Sequence, residues 1–198
     1  MVALECAHAH LLKLEDNAIP NAFSPAFQTE KQRYDFGIYR ACWDAYAANL
    51  LIGTFNDKFY NTYVESFRSQ FKGYSARVRG YKEDYGRTGD GNALFSAMMR
   101  EYVAFFKFAS GYLGQVIALE KTRPLARTAL NISAFLGGDW SKTLFASLEK
   151  IYTDLWSRSG QWKSWDEFTP ITDLIYQLMG TQGITVLEKD GALTATLT

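Results

Sequence analysis

Apolar residues recur every three or four positions along most of this chain, so the pattern predicts helices, and the period changes only after Gly183. Val2 to Leu14 reads as a first helix, stopped by a segment containing Asn17, Pro20, Asn21 and Pro25. Thr29 and Gln32 have the spacing of a capping box, and Phe36, Tyr39, Trp43, Tyr46 and Leu50 carry the helix that follows to Gly53. From Asn56, the aromatics Phe59, Tyr63, Phe67 and Phe71 form one broad stripe, with Asn61, Glu65, Arg68 and Lys72 on the opposite side, until Gly73 ends the helix. The stretch from there to Gly91 contains Gly80, Gly86 and Gly89 and reads as a long irregular connection.

Asn92 is placed to cap a helix running towards Glu120. Its apolar residues, from Leu94 and Phe95 to Leu113 and Ile117, cover much of the circumference and predict a central, buried position. Gly111 and Gly114 would kink it or admit a neighbouring backbone. Pro124 suits the first turn of another helix ending near Gly137 and Gly138, and Asp139 can cap the next, whose buried face is Trp140, Leu144, Leu148, Ile151 and Leu155. After a polar turn at Ser159 to Ser164, Thr169 and Pro170 look like the cap and first residue of a last helix, closed by Gly180. Ile184 to Leu187 and Ala192 to Leu197 flank Asp190-Gly191 and predict a hairpin, which must pack on the bundle, join another sheet or fray. The expected fold is mainly α: a single-domain bundle of about six helices over residues 1–183, with a short C-terminal β-hairpin or tail over 184–198.

Composition narrows the class. With 198 residues, 47% of them apolar, one domain with a real core is expected. Cys6 and Cys42 are too few for a disulfide framework, and Met1 to Glu5 lacks the start of a secretory signal, so a reducing, cytoplasmic setting is expected. Arg100, Glu101 and Lys107 interrupt the most apolar region, Ala97 to Leu119, and no membrane span is expected there.

The net charge of zero conceals a segregation. Lys58 to Arg127 holds twelve Lys/Arg against six Asp/Glu, and each flank is acidic by three. Twenty of the 31 aromatic residues lie between Tyr34 and Tyr112, where the basic block also falls. Cations sharing one face could hold phosphates through counterion release. The candidate set is Arg68, Lys72, Arg77, Arg79, Lys82, Arg87, Arg123 and Arg127, with Tyr74, Tyr81 and Tyr85 either stacking on bases or anchoring their segment on the core.

Other chemistry is thinner. Glu5 and His8 match half of a dimetal motif with no second copy, Cys6 and His10 lack further zinc ligands, and no metal or cofactor is expected. Histidine occurs only at positions 8 and 10, so a nucleophilic triad has little to draw on. Glu83, Asp84 and Asp90 offer carboxylates in one predicted loop, with a solvated surface as the plainer reading. The run from Gly86 to Asn92 lacks the Lys-Ser/Thr of a Walker loop and the closing glutamate of a calcium loop, which leaves a single phosphate at a helix N-terminus or a plain connector. Gly137-Gly138-Asp139 reads as a helix stop and a cap.

An all-helical chain of this size, with a basic block and no catalytic motif, resembles the helical small subunits of CRISPR effector complexes. The start within a helix at Met1 and the stretch Lys121-Thr122-Arg123-Pro124-Leu125-Ala126 resemble the type I-D group, whose small subunit is equivalent to the C-terminal part of the large subunit. The resemblance implies a non-catalytic subunit of an RNA-guided antiviral complex. It would bind the backbone of a target or displaced DNA strand or of guide RNA, beside other subunits and copies of itself, without reading bases. The neutral overall charge and the hairpin depart from that pattern. Two further classes remain open: a scaffold, virion or immunity module docking a partner through exposed aromatics such as Trp156, Trp162 and Trp165, and an enzyme with a polar pocket between helices.

Overall fold

The computed structural model describes residues 2–53, 65, 69, 72–120, 139–189 and 191–198. Six α-helices lie among them: α1 (Val2–Ala18), α2 (Glu30–Ile52), α3 (Tyr74–Thr88), α4 (Gly91–Glu120), α5 (Asp139–Ser157) and α6 (Thr169–Thr181). A short 3-10 turn, Trp165–Phe168, precedes α6, and strands β1 (Ile184–Lys189) and β2 (Ala192–Leu197) close the chain. The expected mainly helical bundle with a terminal hairpin is what the chain forms. The helices expected over Asn56 to Lys72 and Pro124 to Gly137 lie wholly or mostly outside the described residues, as do Arg68, Arg123, Arg127 and Asp190.

The centre is the pairing of α2 with α4. Thr29 and Gln32 form the expected capping box, which fixes where α2 begins. At Gly114 the two helices meet backbone to backbone, because a Cβ there would overlap the Tyr46 carbonyl oxygen. Close approach, rather than a kink, therefore explains this glycine. Around the seam, Trp43 contacts the rings of Trp162 at 5.3 Å and Phe168 at 5.4 Å, while Tyr46 stacks on Tyr152 at 4.4 Å. These rings lock α5 and the 3-10 turn onto α2, and the Tyr152 hydroxyl shares a hydrogen bond with Ser110 Oγ of α4. An 18-residue window of α4 is long and apolar enough to cross a membrane by composition, despite the interruptions at Arg100, Glu101 and Lys107. In this fold 72% of that window is buried, as expected of a core helix.

Several expected boundaries shift. α1 runs one turn further than Leu14, to Ala18. The predicted irregular connection between Gly73 and Gly91 is instead the helix α3. Tyr74, Val78, Tyr81 and Tyr85 give it an inward stripe, and Gly80 and Gly86 sit where a Cβ would meet nothing, so each weakens the helix by only about 1 kcal/mol relative to alanine. Gly89, at φ 66°, ends it in the left-handed region. The cap of α4 is Asp90, not Asn92: its Oδ1 accepts from the backbone N–H of Asn92 (3.0 Å) and Ala93 (2.9 Å). α6 continues through Gly180, and Gly183, at φ 71°, marks the exit.

The hairpin is antiparallel, in register from Ile184 opposite Leu197 to Lys189 opposite Ala192. It neither frays nor stands alone, since Ile184, Leu193 and Ala195 are buried in the same core as the helices. Packing of this kind supplies what a lone hairpin lacks.

Candidate nucleic-acid interface

α3 presents most of the described members of the basic set, and the structure shows each one's surroundings. Arg77 is committed to Glu101 of α4: Nε and Nη2 donate to the two carboxylate oxygens, each at 2.8 Å, and Nη1 donates to the Lys72 carbonyl at 2.9 Å. The Tyr81 hydroxyl adds a third hydrogen bond to the same carboxylate at 3.1 Å. Hydrogen bonding from Arg77 holds the Glu101 carboxyl below the usual carboxylate range. Such a fork is a clamp between helices, and its charge is already balanced.

Lys82 donates from Nζ to the Gln182 carbonyl at 2.6 Å, tying α3 to the start of the hairpin. Arg87 pairs with Asp84 one turn back on an exposed face. Lys72 and Arg79 are exposed, with no carboxylate partner among the described residues. Residues 72–120 carry seven Lys/Arg and five Asp/Glu, so most of the block's cationic excess belongs to Lys58, Arg68, Lys121, Arg123 and Arg127. Those five lie outside the described residues.

The tyrosines of α3 take the anchoring role. Tyr81 bonds Glu101, Tyr85 shares a hydrogen bond of 3.1 Å with Thr196 of β2, and Tyr74 packs edge-on against Tyr102. Glu83 and Asp84 lie on the exposed side of a helix instead of in one loop with Asp90, so no carboxylate cluster forms there. The expected phosphate position at the start of α4 is filled by the Asp90 carboxylate, which takes the Asn92 and Ala93 N–H groups for itself.

At the other end of the sequence, His8 Nδ1 lies 2.9 Å from Asp44 Oδ1 and Cys6 is exposed. Among the described residues, no group of three or more His, Cys, Asp and Glu side chains is placed to hold a metal ion. Two of the three tryptophans named for an aromatic docking patch are not available to it: Trp162 and Trp165 are buried, and their indole N–H groups donate to the carbonyls of Leu155 and Ala22, each at 3.1 Å, while Trp156 is half-buried beside Trp43.

Cations do converge elsewhere. A groove of about 550 Å³ runs between α2 and α4, floored by Tyr34, Ile38, Met99 and Val103, and Arg33, Arg100 and Lys107 stand at its edges. Arg33 is paired with Glu30 at 2.5 Å. Arg100 and Lys107 are exposed and have no carboxylate partner among the described residues. Seven residues apart on one helix, they are separated by about 10 Å of rise and share a face. Nothing fills the space above Gly37, where a Cβ would meet no atom within 4 Å. The sequence holds the signal for this groove in the two cations interrupting an otherwise apolar helix, which by themselves read only as a bar to membrane insertion. No family model, curated protein or solved structure matches the chain.

Proposed function

We propose that this protein is a non-catalytic nucleic-acid-binding subunit that holds a strand by its phosphates without reading its bases. The observation that carries this reading is the α2–α4 groove, where Arg100 and Lys107, unpaired among the described residues, border an apolar floor containing Tyr34, with Arg33 and its partner Glu30 at the same groove. A cationic rim beside an aromatic floor suits a single strand, because phosphates meet the rim and any base can lie against the floor. Lys72, just before α3, and Arg79 on it add exposed positive charge. Membership of a cytoplasmic, RNA-guided antiviral complex, beside other subunits and further copies of this chain, is the finer part of the proposal and rests on the helical, motif-free character of the sequence.

The test is anisotropy of a fluorescent single strand of arbitrary sequence, titrated at several salt concentrations. Sequence-independent binding that weakens with salt is expected. Arg100→Ala with Lys107→Ala should flatten the plot of log affinity against log salt by about 0.7 for each phosphate no longer neutralised. Arg87→Ala, which removes a cation already paired with Asp84, should leave the slope unchanged. Equal slopes for wild type and the double variant would remove the groove from the interface.

A further inference from the structure

On another face of α2 lies a cleft of about 390 Å³, walled by the loop after α1 on one side and by the 3-10 turn on the other. Its lining includes Phe27, Tyr39, Lys163, Trp165 and Asp166. The loop wall is built, not incidental: the Trp165 indole N–H holds the Ala22 carbonyl, and Asn21 adopts φ 56° to make the turn.

Three polar groups at this cleft have no partner beyond their own turn among the described residues. Tyr39 is only 3% exposed, its ring stacked on Trp165 at 6.2 Å and on Phe168 at 6.1 Å, yet its hydroxyl makes no hydrogen bond with any described residue. The hydroxyl is not one of the sealed, unbonded polar atoms of the described residues: Tyr39 lines the cleft, where a ligand can reach its oxygen. Asp166 and Lys163 carry opposite charges three residues apart, yet they do not pair with each other. The exposed Asp166 carboxylate accepts only from the neighbouring Ser164 hydroxyl, at 3.3 Å, while the Asp166 backbone N–H donates to that same Ser164 oxygen, and the exposed Lys163 ammonium has no carboxylate partner among the described residues. Asp35, also at the cleft, is by contrast satisfied by Lys31 and by the Tyr176 hydroxyl.

We propose that this cleft binds a small zwitterion, a free α-amino acid with an apolar or aromatic side chain. Its ammonium meets Asp166, its carboxylate meets Lys163, the Tyr39 hydroxyl supplies a further hydrogen bond, and the side chain lies against Phe27 and Trp165. The volume is at the small end for ligand sites, which suits a ligand of this size. A ligand carrying one charge would leave either Asp166 or Lys163 without a counterpart.

The experiment is a titration of the full chain with L-phenylalanine and L-leucine, followed by protein-detected NMR, alongside phenethylamine and 3-phenylpropionate. Saturable millimolar binding of the amino acids, at least ten-fold tighter than that of either single-charge analogue, is expected. Tyr39→Phe, which removes one unbonded hydroxyl and should melt like wild type, should weaken binding about ten-fold, and Lys163→Gln should erase the preference over phenethylamine. The proposal fails if no ligand saturates at 10 mM, or if the single-charge analogues bind as well as the amino acids. Undiminished binding in a well-folded Tyr39→Phe variant would overturn it too.

Discussion

α3 and α4 follow one another with only Gly89 and Asp90 between them, yet a different balance of forces holds each in place. α4 buries eighteen of its residues, nearly all apolar, whereas Val78 alone is buried on α3. What keeps α3 in place is a half-buried stripe of tyrosines beside Val78 together with directional ties: the Arg77–Glu101 fork, Lys82 on the Gln182 carbonyl, and Tyr85 on Thr196. Apolar packing is non-directional and fails when shape is violated. Directional contacts worth about 1 kcal/mol each fail when a charge is removed. The two helices should therefore respond to different perturbations.

The largest contrast is steric. Gly114→Ala puts a Cβ against the Tyr46 carbonyl oxygen, so it should destabilise the protein by about 3 kcal/mol in urea titration despite the better helix propensity of alanine. Gly86→Ala on α3 meets open space and should instead stabilise by about 0.5–1 kcal/mol. If both substitutions shift the midpoint the same way, backbone contact is not what holds α2 to α4.

A second contrast lies between two carboxylates. Glu101 is matched by a guanidinium, but Glu15 is buried at the α1–α2 seam with Arg40 no nearer than 3.7 Å and one oxygen unbonded. Burial, opposed by Arg40 and reinforced by Asp44, pushes its carboxyl up to about 7. A raised folded-state pKa favours the protonated form, so this contribution is complete below pH 4.5 and is lost as pH rises through about 7. Glu15→Gln should match wild type at pH 4 and exceed it by about 2 kcal/mol at pH 8. A constant gap between the two proteins across that range would contradict the shift.

The sequence disclosed the extent and burial of α4, though not its Asp90 cap, because burial over most of its surface leaves an apolar signature independent of any partner. It disclosed α2 through the Thr29–Gln32 cap. α3 escapes a local reading because its glycines count as breakers, while the stripe of Tyr74, Val78, Tyr81 and Tyr85 gains its value only from α4 and β2. The same limit governs the basic set. Charge counting could not show that Glu101 neutralises Arg77, since the two are 24 residues apart. Nor could it show that Arg33 faces Arg100 and Lys107 across a groove, because helix pairing creates that groove. The cleft at Tyr39 left no mark in the sequence at all, for an unpartnered hydroxyl is a property of packing.

The smallest effect is also the most specific to α3. Hydrogen bonding from Arg77 depresses the Glu101 carboxyl, so the clamp's contribution is present above the unfolded carboxylate range near 4.5 and is lost as pH falls through the lowered folded value. Arg77→Met should cost about 1.5 kcal/mol at pH 7, because Glu101 is left buried without its fork, and progressively less as pH falls below the usual carboxylate range. Adding Glu101→Gln should recover part of the loss at pH 7. Amide hydrogen exchange would locate the effect: protection should fall across α3 and hold across α4, because only α3 depends on the clamp. Equal loss along both helices would mean that Arg77 supports the whole core, and the division between a shape-held helix and a charge-held one would then be wrong.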